Sequence, residues 1–151
     1  PFTVIVDYAH TPGAFQRLFP WVRKTTSGRI TAVFGSAGER DRAKRSMQGQ
    51  AASRYCDTVI ITDEDPRGED RLQILEQIAA GCEGKQRGKD LFLIPDRPEA
   101  IRHAVKNASA GDVVLLLGKG HEGSIIGPTG PVQWDERAEA EKALRSLGYS
   151  T

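Results

Sequence analysis

Short apolar runs alternate along the chain with longer stretches in which apolar residues recur every three or four positions. Thr3-Val4-Ile5-Val6, Ile30 to Phe34, Thr58 to Thr62, Asp90 to Ile94 and Asp112 to Leu117 have the length and β-branched content of buried strands. Between them the spacing predicts a helix over Pro12 to Thr26, with Ala14, Leu18, Trp21 and Val22 on its apolar side. A second is predicted near Arg45 to Cys56, and a third over Asp70 to Cys82, carrying Leu72, Leu75, Ile78 and Ala79. A fourth starts at Asp96, a good N-cap with Pro98 and Glu99 in the first turn, and ends near Ser109. Gly111 then turns the chain into the fifth strand. A short Val132-Gln133 strand precedes a last helix from Asp135 to Leu147, closed by Gly148. Such alternation predicts an α/β fold: a mostly parallel sheet of about six strands, helices on both faces, the last strand antiparallel.

Composition adds bounds rather than a function. At 151 residues the chain makes one domain with a proper core. Its net charge of +1 gives no bulk field toward nucleic acid or membrane, and no apolar segment is long enough to span a bilayer. A cytoplasmic location is expected, with Cys56 and Cys82 as buried reduced thiols. The abrupt entry from Pro1 into a strand suggests a piece of something longer.

The chemistry gathers after the strands. In sheets of this kind ligands bind outside the carboxyl ends. Those ends carry Asp7 to Pro12, Gly35 to Arg42, Asp63 to Arg67, Asp96-Arg97 and Gly118 to Glu122. Asp7 and His10 could simply tie down a loop and cap a helix, or offer a carboxylate and an imidazole to a nucleotide. The run Arg40-Asp41-Arg42-Ala43-Lys44-Arg45 is ordinarily a solvated helix start. Cations at a helix N-terminus oppose its dipole, however, which points to an anionic partner. Asp65-Pro66-Arg67 reads as a turn, yet an Arg fork beside a proline also suits a carboxylate.

Gly118, Gly120 and Gly123 spell G-x-G-x-x-G, but Gly127-Pro128-Thr129-Gly130-Pro131 follows, so no helix can present its N-terminus to a pyrophosphate. A nicotinamide site is therefore disfavoured. No nucleophile elbow is present, and one His with one Glu is too sparse for a metal. Of the Gly-Lys pairs, none is followed by Ser or Thr, so there is no phosphate-cradling P-loop.

Together, "DYAHTP" at Asp7–Pro12, "GSAGERDRAKR" at Gly35–Arg45, "TDEDPRGED" at Thr62–Asp70, "DRPEAI" at Asp96–Ile101 and "GKGHE" at Gly118–Glu122 resemble the C-terminal domain of the Mur ligases, and its tripeptide-synthesising branch in particular. The resemblance covers essentially the whole chain. It implies a Rossmann-like domain of a three-domain, ATP-dependent amide ligase of peptidoglycan synthesis, adding a diamino acid to UDP-N-acetylmuramoyl-L-alanyl-D-glutamate (a UDP-MurNAc-dipeptide). The N-terminal UDP-sugar domain and a central domain with the P-loop and Mg2+ sites would be absent from this chain, which alone is expected to be inactive. The partners implied are those two domains and the small molecules ATP, diamino acid and UDP-MurNAc-dipeptide.

The resemblance further implies Asp7 and His10 near the ATP ribose and phosphates. It implies Arg40 and Arg67 on carboxylate of the diamino acid, with Asp65 beside them. The Gly118 carbonyl and the Glu122 carboxylate would hold the distal ammonium, and no metal ligand falls in this domain. Members using meso-diaminopimelate typically read D-N-P-R where this chain has Glu64-Asp65-Pro66-Arg67. Arg67 favours a distal carboxylate, whereas the extra charge of Asp65 keeps L-lysine and L-ornithine open. The reading leans to diaminopimelate, because Arg67 would otherwise want a partner, which Asp65 could supply. The alternatives are a stand-alone small-molecule binding module, or another Mur or folylpolyglutamate ligase relative.

Overall fold

The apolar runs lie side by side. In the computed structural model, which describes residues 1–150, β1 (Thr3–Asp7), β2 (Ile30–Phe34), β3 (Thr58–Ile61), β4 (Leu91–Leu93) and β5 (Val113–Leu117) form one sheet. The order is β1-β5-β2-β3-β4, and every pairing is parallel. Helices α1 (Pro12–Thr25), α2 (Ala43–Tyr55) and α3 (Arg71–Ala79) cover one face, and α4 (Arg97–Lys106) and α5 (Glu136–Ser146) the other. The path dictates those sides. From β1 to β4 the chain steps one way across the sheet; from β4 to β5 it steps back, and a right-handed crossover then places α4 on the opposite face.

Strand periodicity feeds two cores. Ala32, Phe34, Leu115 and Leu117 pack toward α1, α2 and α3, while Val33, Val114 and Leu116 pack toward α4 and α5. On α1 the buried stripe is Phe15, Phe19 and Val22, at i, i+4 and i+7. Trp21, expected inside, is 61% exposed, because one residue from Val22 turns a side chain about 100° around the helix. The same phase error puts Leu72 outside α3, where Ile74 takes the expected place. Four helix starts are capped by side chains, among them Asp96, which accepts from the Glu99 amide, and Asp135, which accepts from Ala138.

The antiparallel pairing anticipated near the end is present as a separate ribbon. Strands β6 (Ser124–Gly127) and β7 (Gly130–Gln133) pair with each other and leave the main sheet at five strands. The ribbon is fastened to the loop after β3, with the Ile126 amide donating to Asp65 Oδ1 at 2.8 Å and the Arg67 amide to the Ile126 carbonyl at 2.9 Å. Beneath that loop, Arg97 is fully buried against Glu136 and also donates to the carbonyls of Asp63 (2.7 Å) and Leu117 (2.9 Å). One guanidinium thus staples α4 and α5 to the carboxyl ends of β3 and β5.

Candidate functional site

β2 and β5 are neighbours, yet the chain leaves β2 for α2 on one face and leaves β5 for the ribbon and α5 on the other. This reversal opens a crevice at their carboxyl ends. A cleft of about 320 Å³ lies there, and His10, Arg40, Asp41, Lys44, Glu64, Asp65, Arg67 and Glu122 line it, from the loops after β1, β2, β3 and β5 and the first turn of α2. A second cleft of about 550 Å³ adjoins it, with Asp7, His121 and Arg137 in its wall; Tyr8 and Glu122 border both. The groups singled out by sequence therefore share one rim, divided by Tyr8.

On the β1 side, Asp7 Oδ2 accepts from the Ala9 amide at 2.9 Å, which fixes the turn. His10 Nδ1 lies 3.0 Å from the Tyr8 carbonyl. A carbonyl only accepts, so Nδ1 carries a proton and Nε2 is the ring nitrogen turned from that contact. Tyr8 packs edge-on against His10, with centroids 4.9 Å apart.

The two arginine loops are clasped together. The Gly38 amide donates to the Asp65 carbonyl at 2.7 Å, and Arg67 Nη1 donates to the Gly38 carbonyl at 3.1 Å. A Cβ at Gly38 would collide with the Pro66 carbonyl. Glu39 and Arg67 have φ of 56° and 54°, the two positive values among the described non-glycine residues. Each such conformation costs about 1–3 kcal/mol and persists only where its surroundings hold it. Arg40 and Arg67 pair with no carboxylate among the described residues. The basic run divides accordingly: Arg40 and Lys44 face the cleft, while Arg45 turns inward, fully buried, onto Glu69 at 2.6 Å.

The acids divide as well. Asp65 is 7% exposed and its Oδ1 accepts from Lys119 Nζ and the Ile126 amide, both at 2.8 Å. Asp65 therefore neutralises the buried Lys119 and not Arg67. Glu122 Oε1 lies 3.7 Å from the same ammonium and remains partly exposed. Glu64, which the sequence reading passed over, lines the cleft at 6% exposure, and its Oε2 is buried without a partner. Burial pushes its carboxyl above the usual range, outweighing the nearby charges of Arg97, Lys44, His10 and Lys119. Gly118, at φ 102°, lies under Glu64: a Cβ there would sit 3.3 Å from Glu64 Oε2. The lining thus gathers Arg40, Lys44 and Arg67 with Asp41, Glu64, Asp65 and Glu122, charges of both signs that a zwitterion could meet. Among the described residues no group of three His, Cys, Asp or Glu is arranged as a metal would require, and no helix is long and apolar enough to cross a membrane.

Comparison with known proteins follows the same lines. Residues 1–120 match the Mur ligase, glutamate ligase domain. A UDP-N-acetylmuramyl-tripeptide synthetase of Roseiflexus sp. (strain RS-1) is 65% identical over 151 residues, 99% of this chain and 30% of the relative. One of Treponema denticola is 52% identical over 146 residues, 95% of this chain and 27% of the relative. A solved UDP-N-acetylmuramoyl-L-alanyl-D-glutamate–2,6-diaminopimelate ligase superposes with a TM-score of 0.87 at 35% identity, covering 97% of this chain and 30% of that one. The chain thus spans under a third of the length of these relatives.

Proposed function

The chain belongs to the Mur ligase glutamate ligase domain family, and from that premise we propose that it is the amino-acid-receiving domain of an ATP-dependent ligase joining a diamino acid to UDP-N-acetylmuramoyl-L-alanyl-D-glutamate. The observation that carries this is the cleft itself, where His10, Arg40, Arg67 and Glu122 converge from separate loops. In this reading the UDP-sugar domain and the P-loop domain, with the Mg2+ that accompanies the phosphates, belong to the rest of a longer polypeptide.

ATP would turn the D-glutamyl γ-carboxylate into an acyl phosphate. That transfer leaves ADP; the neutral amine of the diamino acid then attacks the carbonyl, and the tetrahedral intermediate loses a proton from nitrogen and collapses to amide and inorganic phosphate. The protein's burden is positioning and charge neutralisation, since a well-placed amine needs little further activation. Arg40 and Arg67 take carboxylates; Glu122 and the Gly118 carbonyl take the distal ammonium, and Glu64 lies at the cleft wall. Asp7, in the adjoining cleft, and His10, in this one, meet ribose and phosphate of ATP on either side of Tyr8. Asp65, also in the cleft wall, is held by Lys119 and the ribbon and shapes the loop beside the ligand. Closure against the P-loop domain would keep water from the acyl phosphate.

The diamino acid proposed is meso-diaminopimelate. Because Asp65 is taken up by Lys119, both Arg40 and Arg67 lack an acidic partner, and a ligand with two carboxylates answers both. Incorporation assays on the whole polypeptide with diaminopimelate, L-lysine and L-ornithine test this. Tripeptide formed mainly with diaminopimelate supports it; preference for either of the others sinks the substrate assignment. The 151-residue chain alone is expected to give no tripeptide from the same mixture, and turnover by it would refute the need for a separate P-loop domain.

A further inference from the structure

Glu39 and Arg67 hold left-handed backbone without being glycine, and one adjoins and the other is a cleft arginine. Strained turns of this kind persist when neighbouring groups over-determine them. Both turns lead to a single carboxylate. Glu69 Oε1 accepts from the Glu39 amide at 2.9 Å and from Arg45 Nη2 at 3.0 Å, while Oε2 accepts from Arg45 Nη1 at 2.6 Å. Its own amide donates to the Pro66 carbonyl at 3.1 Å, closing the turn that carries Arg67. Arg45 completes the plate by donating to the Ala37 carbonyl at 2.9 Å and Gln77 Oε1 at 2.8 Å. The Glu69 side chain is 6% exposed and that of Arg45 fully buried, so the ion pair is shielded from water.

We infer that Glu69 is a positioning residue: backed by Arg45, it locks the strained Glu39 and Arg67 turns against each other and so sets the separation at which Arg40 and Arg67 meet the amino-acid ligand. Glu69 lines no part of the cleft that would hold that ligand and acts only through the two loops. The inference rests on the reading of the cleft as an amino-acid site, but its structural half does not. Charge is essential to it. Glutamine keeps the shape and one acceptor yet can only weakly hold two guanidinium nitrogens, which bind an ionised carboxylate about twice as strongly.

The structural half is tested on this chain by amide hydrogen exchange of wild type, Glu69→Gln and a control, Glu76→Gln, which removes an exposed ion pair between α3 and Arg87. Glu69→Gln should speed exchange about tenfold at residues 37–40 and at Arg67 and position 69 while α4 and α5 keep their protection, and the control should change neither. Uniform acceleration through the sheet, or no change at the loops, overturns the lock. The functional half is read in the whole polypeptide: Glu69→Gln should raise KM for the diamino acid about tenfold and leave KM for ATP within about twofold. Equal changes in both, or none in the first, overturn the positioning role. If wild type joins no diamino acid at all, the proposed function fails instead, and the exchange result still decides the lock.

Discussion

At the scale of single residues, two neighbouring carboxylates line the cleft with different partners. Asp65, expected beside the ligand, is hydrogen-bonded to Lys119; Glu64, given no role by the sequence, keeps one oxygen buried without a partner. The convergence of His10, Arg40, Arg67 and Glu122 was legible from loop order, because parallel strands bring their carboxyl ends to one rim. Which of two adjacent acids finds the lysine was not, since contacts with distant Lys119 and the ribbon settle it.

The two glutamates should also titrate with opposite signs. Burial raises the Glu64 carboxyl above its ordinary 4.5, so its stabilising form is fully present below that value and is lost as pH rises through the folded one. Glu64→Gln should therefore raise the melting temperature at pH 7 and leave it nearly unchanged near pH 4; calorimetry showing the variant less stable at pH 7 would contradict this. Hydrogen bonds from Arg45 hold Glu69 down at about 2, so its contribution is present above 4.5 and disappears as pH falls toward that value. Glu69→Gln should accordingly lose stability at pH 7 and converge on wild type near pH 2.

At the scale of elements, the alternation of apolar runs gave away the five sheet strands and the helices, and the Asp96 cap is where the sequence put it. Replacing Asp96 by Ala should cost about 1 kcal/mol in a urea melt, the usual worth of an N-cap acceptor. Helix faces were less legible: Trp21 and Leu72 fit a loose count of apolar spacings but fall one step out of phase with the buried stripes. Strand β6 was hidden because Gly127, Pro128 and Gly130 bracket a mere pair of isoleucines. Nor did the pattern disclose that Arg97, read as a rim charge, turns inward to Glu136. Breaking a buried pair leaves an uncompensated charge, so Arg97→Ala should destabilise the chain by about 3–5 kcal/mol. A loss below about 1 kcal/mol would mean that the staple is not holding α4 and α5 to the strand ends.

At the scale of the molecule, a sheet whose path reverses once creates a crevice, and loops from both sides of that reversal fill it with charges of both signs. The fold is shared by a solved relative over nearly the whole chain. In the proposed function the reaction also needs a phosphate-binding loop, which this sequence does not contain, and binding of the nucleophile is the part these residues would carry. The most direct test is the kinetics of Arg67→Ala in the whole polypeptide, varying diamino acid and ATP separately. A rise of about tenfold or more in KM for the diamino acid, with KM for ATP within about twofold of wild type, is the expected result. A variant that keeps its affinity for the diamino acid and loses it for ATP would contradict the account.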